Sequence, residues 1–282
     1  MKADLHLHTT ASDGRLEPEE IVSLARRVGL DVIAVTDHDT VDGVARALAA
    51  AQSNSITVIP GVEINTDVAK GEVHVLGYFI DYTDTELAAT LQKLRDSRRE
   101  RARKMIAKLG EMGMKVDWKR VGELARGGTI GRPHISQALF EKGYVSSEKE
   151  AFDKYIGHNR PAYVERYKLL PEEVVRLILD AQGLPVLAHP ADIDGLDDFV
   201  PRLKAAGLIG MEVYYKDYGP ETVDRLARLA KKYDLITTGG TDYHAFKDGC
   251  EVEIGGTVSP AHSVEQLFAL ASKRSLELLN RH

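Results

Sequence analysis

The sequence predicts an α/β fold, a barrel or sheet of seven strands that is distorted at one link and interrupted by a helical insert. Three observations carry that prediction. Short β-branched runs alternate with amphipathic stretches of 10 to 15 residues, one link between two runs is too short and too polar for a helix, and a long stretch after the fourth run has only helical spacing. The runs are Ala3–Leu7, Asp31–Thr36, Ile56–Val62, Val73–Ile80, Leu184–Ala188, Leu208–Tyr214 and Leu235–Thr238. Helices are expected between them, such as Pro18–Val28 and Pro171–Gln182, each opened by Pro-Glu-Glu, because proline fits the first helical turn and carboxylates favour its positive end.

The link from Glu63 to Val73 is rich in Asn, Thr, Asp and Gly and lacks a helical period, so strands three and four are expected to form a hairpin rather than a parallel crossover. Beyond strand four, Leu87, Leu91, Leu94, Ala102, Met105, Leu109 and Met112 fall at helical spacing. A helix over Thr85–Met112 would be about 40 Å long. Residues 83–163 are therefore read as a helical insertion domain, and 1–82 with 164–282 as the barrel. Gly127-Gly128 reads either as a hinge for that insert or as a helix stop.

Composition narrows the classes. With 43% hydrophobic and 28% charged residues over 282 positions, the chain is neither disordered nor fibrous. A single cysteine, Cys250, forbids a disulfide framework and fits a reducing compartment. Met1 to Thr10 lacks an apolar signal core, and no window reaches the roughly 18 apolar residues of a membrane helix, so the expected location is the cytoplasm with no membrane partner. Nothing marks an obligate protein partner. The net charge of −6 argues against wholesale nucleic-acid binding, but it is unevenly spread: Gln92–Arg126 holds twelve Lys/Arg against five Asp/Glu. That run reads either as a solvated helix face, with Asp96 and Glu100 paired to nearby arginines, or as an electrostatic funnel for a polyanion.

The chemistry lies at the strand ends. Asp4, His6 and His8 alternate along strand one and so share a face, which lets two imidazoles share a metal while Asp4 orients one of them. Strand two ends in Thr36-Asp37-His38-Asp39, strand three in Gly61-Val62-Glu63 and strand five in Ala188-His189-Pro190, while strand seven runs into Thr241-Asp242-Tyr243-His244. Barrel active sites form at such C-terminal ends, and so many buried ionisable groups are costly without a cation. His74 opens strand four, facing Glu63 across the hairpin, and His134 joins if the insert folds over the mouth. His158, His262 and His282 are left as surface residues.

Asp4-Leu-His6-Leu-His8, Thr36-Asp37-His38-Asp39, Ala188-His189-Pro190 and Asp242-Tyr-His244 together resemble the four motifs of the polymerase and histidinol phosphatase (PHP) family of metal-dependent phosphoesterases. Thr9-Thr-Ala-Ser-Asp13-Gly14, Gly61-Val-Glu63, His74-Val-Leu-Gly-Tyr, Gly131-Arg-Pro-His134 and Pro161-Ala-Tyr-Val164 look like its stand-alone subgroup of nucleoside 3′,5′-bisphosphate phosphatases and 5′→3′ oligonucleotide exonucleases. The resemblance implies a distorted seven-stranded, TIM-like barrel and three divalent ions, commonly Mn2+, with Zn2+ or Fe2+ as alternatives. It assigns His6, His8, Glu63 and Asp242 to one ion, Glu63, His74 and His134 to a second, and Asp13, His38 and His244 to a third. Thr241-Asp-Tyr replaces the usual Ser-Asp-Phe, and Asn159-Arg160 the usual Gly-Lys.

Two cations sharing a carboxylate lower the pKa of a bridging water and deliver hydroxide to phosphorus at neutral pH. His189 or Asp37 would protonate the leaving oxygen, with His189 also near the substrate, and Arg132 and Arg160 are candidates for a second phosphate. Tyr214 and Tyr215 either stack on a base or finish the core. The expected substrate is a nucleoside 3′,5′-bisphosphate losing its 3′-phosphate, with short 5′-phosphorylated single-stranded RNA or DNA as a further substrate. Three alternatives stand beside it. Histidinol phosphate would need an anion for its amine, for which Glu212 is the tempting group. An amidohydrolase would need a lysine that Val73–Ile80 lacks. A non-catalytic regulatory or metal-binding module would have lost ligands.

Overall fold

The computed structural model describes residues 1–67, 72–246 and 251–279; Cys250 and His282 lie outside them. Strand β1 (Ala3–Leu7), helix α1 (Pro18–Arg27), β2 (Val32–Val35), α2 (Val44–Asn54), β3 (Thr57–Asp67) and β4 (Glu72–Tyr78) form the first half of the barrel. A helical segment follows, made of α3 (Thr85–Glu111), α4 (Trp118–Leu124), α5 (Arg132–Glu141) and α6 (Glu148–Ala151), the last continuing into a π-type turn at Phe152–Ile156. The second half is α7 (Pro171–Asp180), β5 (Leu184–Leu187), α8 (Leu196–Ala206), β6 (Gly210–Tyr215), α9 (Pro220–Lys232), β7 (Ile236–Gly240) and α10 (Ala261–Leu279).

The seven strands pair in sequence order in one sheet. β1, β2 and β3 are parallel, as are β5, β6 and β7, whereas β4 is antiparallel to both of its neighbours. The polar link after β3 thus makes the hairpin its length requires, with Asn65 opposite His74 and Glu63 opposite Leu76. That pairing carries β3 five residues past Val62, so Glu63 lies inside a strand rather than at its end. The sheet nearly closes where Leu7 bridges to Tyr243, with His8 N–H donating to the Tyr243 carbonyl at 3.0 Å.

Strands β1, β2 and β5 are buried on both faces, the pattern of barrel strands covered by helices. Helices α1 and α7 begin at Pro18 and Pro171, and Glu20 and Glu173 each reach back to accept the backbone N–H of Glu17 and Leu170, at 2.8 and 2.7 Å.

Asp84 caps α3 by accepting from Leu87 N–H at 2.7 Å. Its 27 residues serve two cores. Leu87, Leu91 and Leu94 pack with Val174, Val175 and Ile178 of the barrel. One further stretch along, Ala102, Met105 and Leu109 pack with Val121, Ile135, Leu139 and Ile156 in a separate cluster. Arg98 and Arg101 are buried between the two.

Several expectations are corrected here. Glu100 pairs with Lys104 at 2.6 Å and Asp96 accepts from Gln92 at 3.0 Å, so neither is an arginine partner. Gly127, at φ +86°, terminates the chain reversal after α4, while Gly128 lets two backbones meet: a Cβ there would lie 2.4 Å from the Thr10 carbonyl. His262 is exposed, as expected, but His158 is half-buried against the Tyr163 ring. No helix among the described residues is long and apolar enough to cross a membrane.

A Cβ on Gly240 would lie 2.6 Å from both the backbone N and the Cβ of His6, at the seam where β7 meets β1. Gly240→Ala is therefore expected to cost about 1–3 kcal/mol through overpacking, read as a fall of several degrees in Tm.

Candidate metal centre

The seam and the strand ends gather buried donors at the mouth of the barrel. Glu63 is fully buried among five histidines. Its Oε2 lies 3.3 Å from His6 Nε2, 3.3 Å from His8 Nε2 and 2.8 Å from His38 Nδ1, and its Oε1 lies 2.7 Å from His74 Nδ1 and 3.2 Å from His189 Nε2. Asp242 turns Oδ1 toward His8 Nε2 at 2.9 Å and His6 Nε2 at 3.4 Å. Asp13 meets His244 Nε2 at 3.5 Å, His8 Nδ1 at 3.8 Å and His38 Nε2 at 3.9 Å.

Three overlapping sets have donor atoms mutually within 4.8 Å: His6, His8, Glu63 and Asp242; His38, Glu63 and His74; and His8, Asp13, His38 and His244. The donors also fit cations by what they lack. His6 Nε2, both ring nitrogens of His8, Asp13 Oδ1, His38 Nδ1 and Glu63 Oε2 are buried with no hydrogen-bond partner among the described residues. Such atoms are costly in a protein interior unless an ion satisfies them.

The first set is the one the resemblance assigned. In the second, His38 stands beside Glu63 and His74 where His134 was expected. His134 instead accepts the Gly131 N–H through Nδ1 at 3.0 Å and borders, with Asp13, Arg15, Gln137 and Phe246, a cavity of about 240 Å³. The third gains His8. The reason is the hairpin: it sets His74 diagonally across from Glu63, next to the loop after β2, while α5 approaches from the Asp13 side.

Three carboxylates do work that the sequence did not suggest. Asp4 does not orient an imidazole; it accepts Thr241 Oγ1 at 2.6 Å, Thr241 N at 3.0 Å and Gly255 N at 2.9 Å, tying β1 to the chain after β7. Burial pushes its pKa up to about 6 despite those bonds. The orienting carboxylate is Glu212, whose Oε1 lies 3.1 Å from His6 Nδ1 while Oε2 accepts the His189 N–H at 2.8 Å. Fully buried and engaged at both oxygens, Glu212 is not presented to a substrate amine. Asp37 accepts Thr9 N at 2.7 Å, Thr9 Oγ1 at 2.8 Å and Ser12 Oγ at 2.6 Å, and so braces the loop that carries Asp13.

Further contacts around the ligands were not legible in the sequence. Tyr215, within β6, donates to Asp242 Oδ2 at 2.7 Å, and Lys216 Nζ lies 3.2 Å from the same oxygen, so Oδ1 is left for the histidines. Asn65 bridges His74 Nε2 to Arg98, and Arg98 Nε meets Asp39 Oδ2 at 2.5 Å, where Arg166 also binds at 3.4 Å. The only sequence signal for these was a polar residue in a strand or on an otherwise apolar helix stripe. Arg132 is half-buried over the rings of Phe152 and Tyr163, at 5.6 and 6.0 Å, and Arg160 is exposed on a turn.

The protonation pattern is that of a site whose histidines neutralise its carboxylates. Burial opposes ionisation of Glu63, Asp13 and Asp242, yet the surrounding histidines hold all three well below the usual carboxylate range. Burial likewise disfavours charge on His6 and His8, but the neighbouring carboxylates prevail: His6 is raised well above its ordinary value and His8 to about 10. His74, where burial dominates, falls to about 4.

Buried histidines and carboxylates in overlapping ligand sets, at the mouth of an α/β barrel, define a metal-dependent hydrolase. Residues 4–166 match the PHP domain, and the chain belongs to that family. A Chromobacterium violaceum protein named 3′,5′-nucleoside bisphosphate phosphatase is 33% identical over 256 residues, 87% of this chain and 88% of its own. A Haemophilus influenzae protein named 5′-3′ exoribonuclease is 34% identical over 267 residues, 93% of this chain and 96% of its own. The crystal structure of a Bifidobacterium adolescentis protein assigned as a metal-dependent phosphoesterase superposes with a TM-score of 0.88 at 28% identity, covering 95% of this chain and 96% of that one. The protein is a metal-dependent phosphoesterase, a hydrolase of phosphoester bonds.

Two outcomes are expected. Ligated imidazoles must be neutral, whereas the neighbouring carboxylates favour the protonated forms of His6 and His8 in the metal-free protein, so metal uptake should release protons and weaken as pH falls. Titration calorimetry in two buffers of different ionisation enthalpy reads this; identical heats at pH 7 would contradict it. Glu212→Gln should weaken metal affinity roughly 10- to 100-fold while Glu63→Ala abolishes both metal retention and turnover; a fully active Glu63→Ala protein would rule out the shared-carboxylate assignment.

Proposed function

We propose that the protein removes the 3′-phosphate of nucleoside 3′,5′-bisphosphates and also acts on short 5′-phosphorylated single-stranded RNA or DNA, in the cytoplasm. The observation that carries the phosphoester chemistry is Glu63 shared between two donor sets, with a third set alongside. Three divalent ions would be held there, Mn2+ first, with Zn2+ or Fe2+ as alternatives. When bound, such ions supply charge neutralisation for the phosphate and a nucleophile from water at neutral pH.

The chain's own residues would do the rest. His6, His8, Glu63 and Asp242 would hold one ion, Glu63 and His74 a second, and Asp13, His38 and His244 a third, each neutral imidazole serving one ion through its single acceptor nitrogen, with His134 a further ligand from the Asp13 side. Glu212 fixes the His6 ring so that Nε2 faces the cluster. His189 is the general acid of the proposal. Its side chain is 23% exposed, the most open of the five histidines around Glu63, and its bond to Glu63 Oε1 keeps the ring oriented at the mouth. The barrel, 1–82 and 164–282, would carry these groups except His134, which the insertion domain, 83–163, would supply from over the mouth.

Substrate choice rests on Arg132 and Arg160 as seats for the second phosphate and on the likeness to the bisphosphate phosphatase and the exoribonuclease. Histidinol phosphate is the weaker reading because Glu212 is buried with both oxygens occupied. A non-catalytic module is weaker still, since the donor sets are filled.

The test is phosphate release from adenosine 3′,5′-bisphosphate and from histidinol phosphate by manganese-loaded protein, with His6→Ala as the contamination control. Strong preference for the bisphosphate is expected, with Arg132→Ala raising KM about tenfold to a hundredfold through loss of charged hydrogen bonds. Preference for histidinol phosphate would overturn the substrate assignment.

A further inference from the structure

The helical segment has a second basic feature, away from the metal ligands. Arg99 and Arg103 sit one turn apart on the same face of α3, about 6 Å along the axis. With Trp118 at the start of α4 and the glycines Gly122, Gly127 and Gly128, they line a groove of about 280 Å³. Most other basic side chains nearby are neutralised: Lys104 by Glu100, Arg120 by Glu141 and Glu123, Lys119 by Glu123. Arg99 and Arg103 are exposed and have no carboxylate partner among the described residues. The groove thus concentrates the positive excess of this segment where it faces solvent.

Two more observations give the groove a direction and a ligand. Arg103 lies over the Trp118 ring at 4.8 Å, and an arginine stacked on an indole presents a planar guanidinium on which a base can stack in turn. Backbone contacts also tie the glycine end of the groove to the loop that carries Asp13. Gly128 abuts the Thr10 carbonyl, Thr129 N–H donates to Ala11 at 3.0 Å, and a Cβ on Gly131 would lie 3.6 Å from Asp13 Oδ2. Unpaired cations with an aromatic platform are what a sequence-tolerant single-strand track is made of.

We propose that the Arg99–Arg103–Trp118 groove is a docking track for the nucleotides of a single-stranded nucleic acid that lie beyond the one at the metal centre. The inference rests on the phosphoesterase acting on nucleotides, and it deepens that reading by placing the rest of the strand. A mononucleotide ends before the groove. A strand of several residues reaches it, so binding should gain with length. Stacking on Arg103 and Trp118 needs an unpaired base, so the occupant is one strand rather than a duplex.

Trp118 is the sole tryptophan, so its emission reports on the groove directly. Metal-loaded protein is mixed in stopped flow with adenosine 3′,5′-bisphosphate, with 5′-phosphorylated oligonucleotides of two, four and six residues, and with a six-base-pair duplex, before turnover proceeds. The hexamer is expected to change Trp118 emission and the bisphosphate to leave it unchanged. Arg99→Ala/Arg103→Ala should weaken hexamer binding tenfold or more and make the slope of log affinity against log salt shallower by about 1.4, the loss of two phosphate contacts. Bisphosphate hydrolysis should be unaffected in that variant, whose changes are on the surface. An emission that ignores the hexamer, a double variant that binds like the parent, or tighter binding of the duplex would each overturn the proposal. Absent bisphosphate hydrolysis with an intact hexamer response would instead overturn the substrate assignment and leave the track standing.

Discussion

A carboxylate taken fully out of water is stable only if something positive surrounds it, and Glu63 is surrounded by five imidazoles from four different strands or their ends. That single constraint explains much of the architecture. The antiparallel β4 puts His74 beside Glu63, which a parallel crossover at this link would not do. The loop after β2 is drawn in by the parallel bridge between His38 and Glu63. Closure of the sheet at Leu7 and Tyr243 brings Asp242 to the same histidines. In the metal-free protein these charges balance one another through protons on the rings; with cations the balance passes to the ions.

Around this centre, buried acids act as braces, each with its oxygens assigned to specific donors. Asp4 fixes the seam, Asp37 fixes the Thr9–Ser12 loop, Glu212 fixes His6 and the His189 backbone, and Asp39 receives two arginines. Buried carboxylates of this kind are costly if one partner is lost, so they hold the ligands in one geometry. His189 carries the strain of the arrangement, at φ +26° for a residue that is not glycine. Its backbone is held there by Glu212, which couples the ring nearest the opening to the first ligand of the cluster.

The long helix α3 joins the barrel to the helical segment. Its first turns belong to the barrel core and its last to a core of the helical segment, and the crossing is marked by Arg98, linked through Asn65 to His74. The charge segregation along the sequence therefore divides into two physical parts. Arg98 is an inward structural cation on Asp39. Arg99 and Arg103 are outward ones, facing solvent beside Trp118.

Periodicity located seven strands and the 27-residue helix, and the short polar link after Glu63 marked the hairpin, because burial of one stripe or of whole short strands leaves its pattern in the order of residues. Clustering of His and Asp at the strand ends likewise pointed to the mouth, since alternation along β1 fixes which side chains share a face. What order along the chain does not encode is which neighbours meet across it. Asp4 and Glu212 are both inward carboxylates on barrel strands, yet strand stagger gives the seam to one and the His6 imidazole to the other. Asp37 and His38 are adjacent, but successive side chains diverge, so one braces a loop and the other enters the cluster. The family resemblance implies His134 as a partner of Glu63 and His74, but the approach of α5 places it beside Asp13. The sequence by itself determined the elements and the residue types of the site; the tertiary structure alone decided the pairings, because hydrogen bonds and ligand sets depend on distances of a few ångströms between strands far apart in the chain.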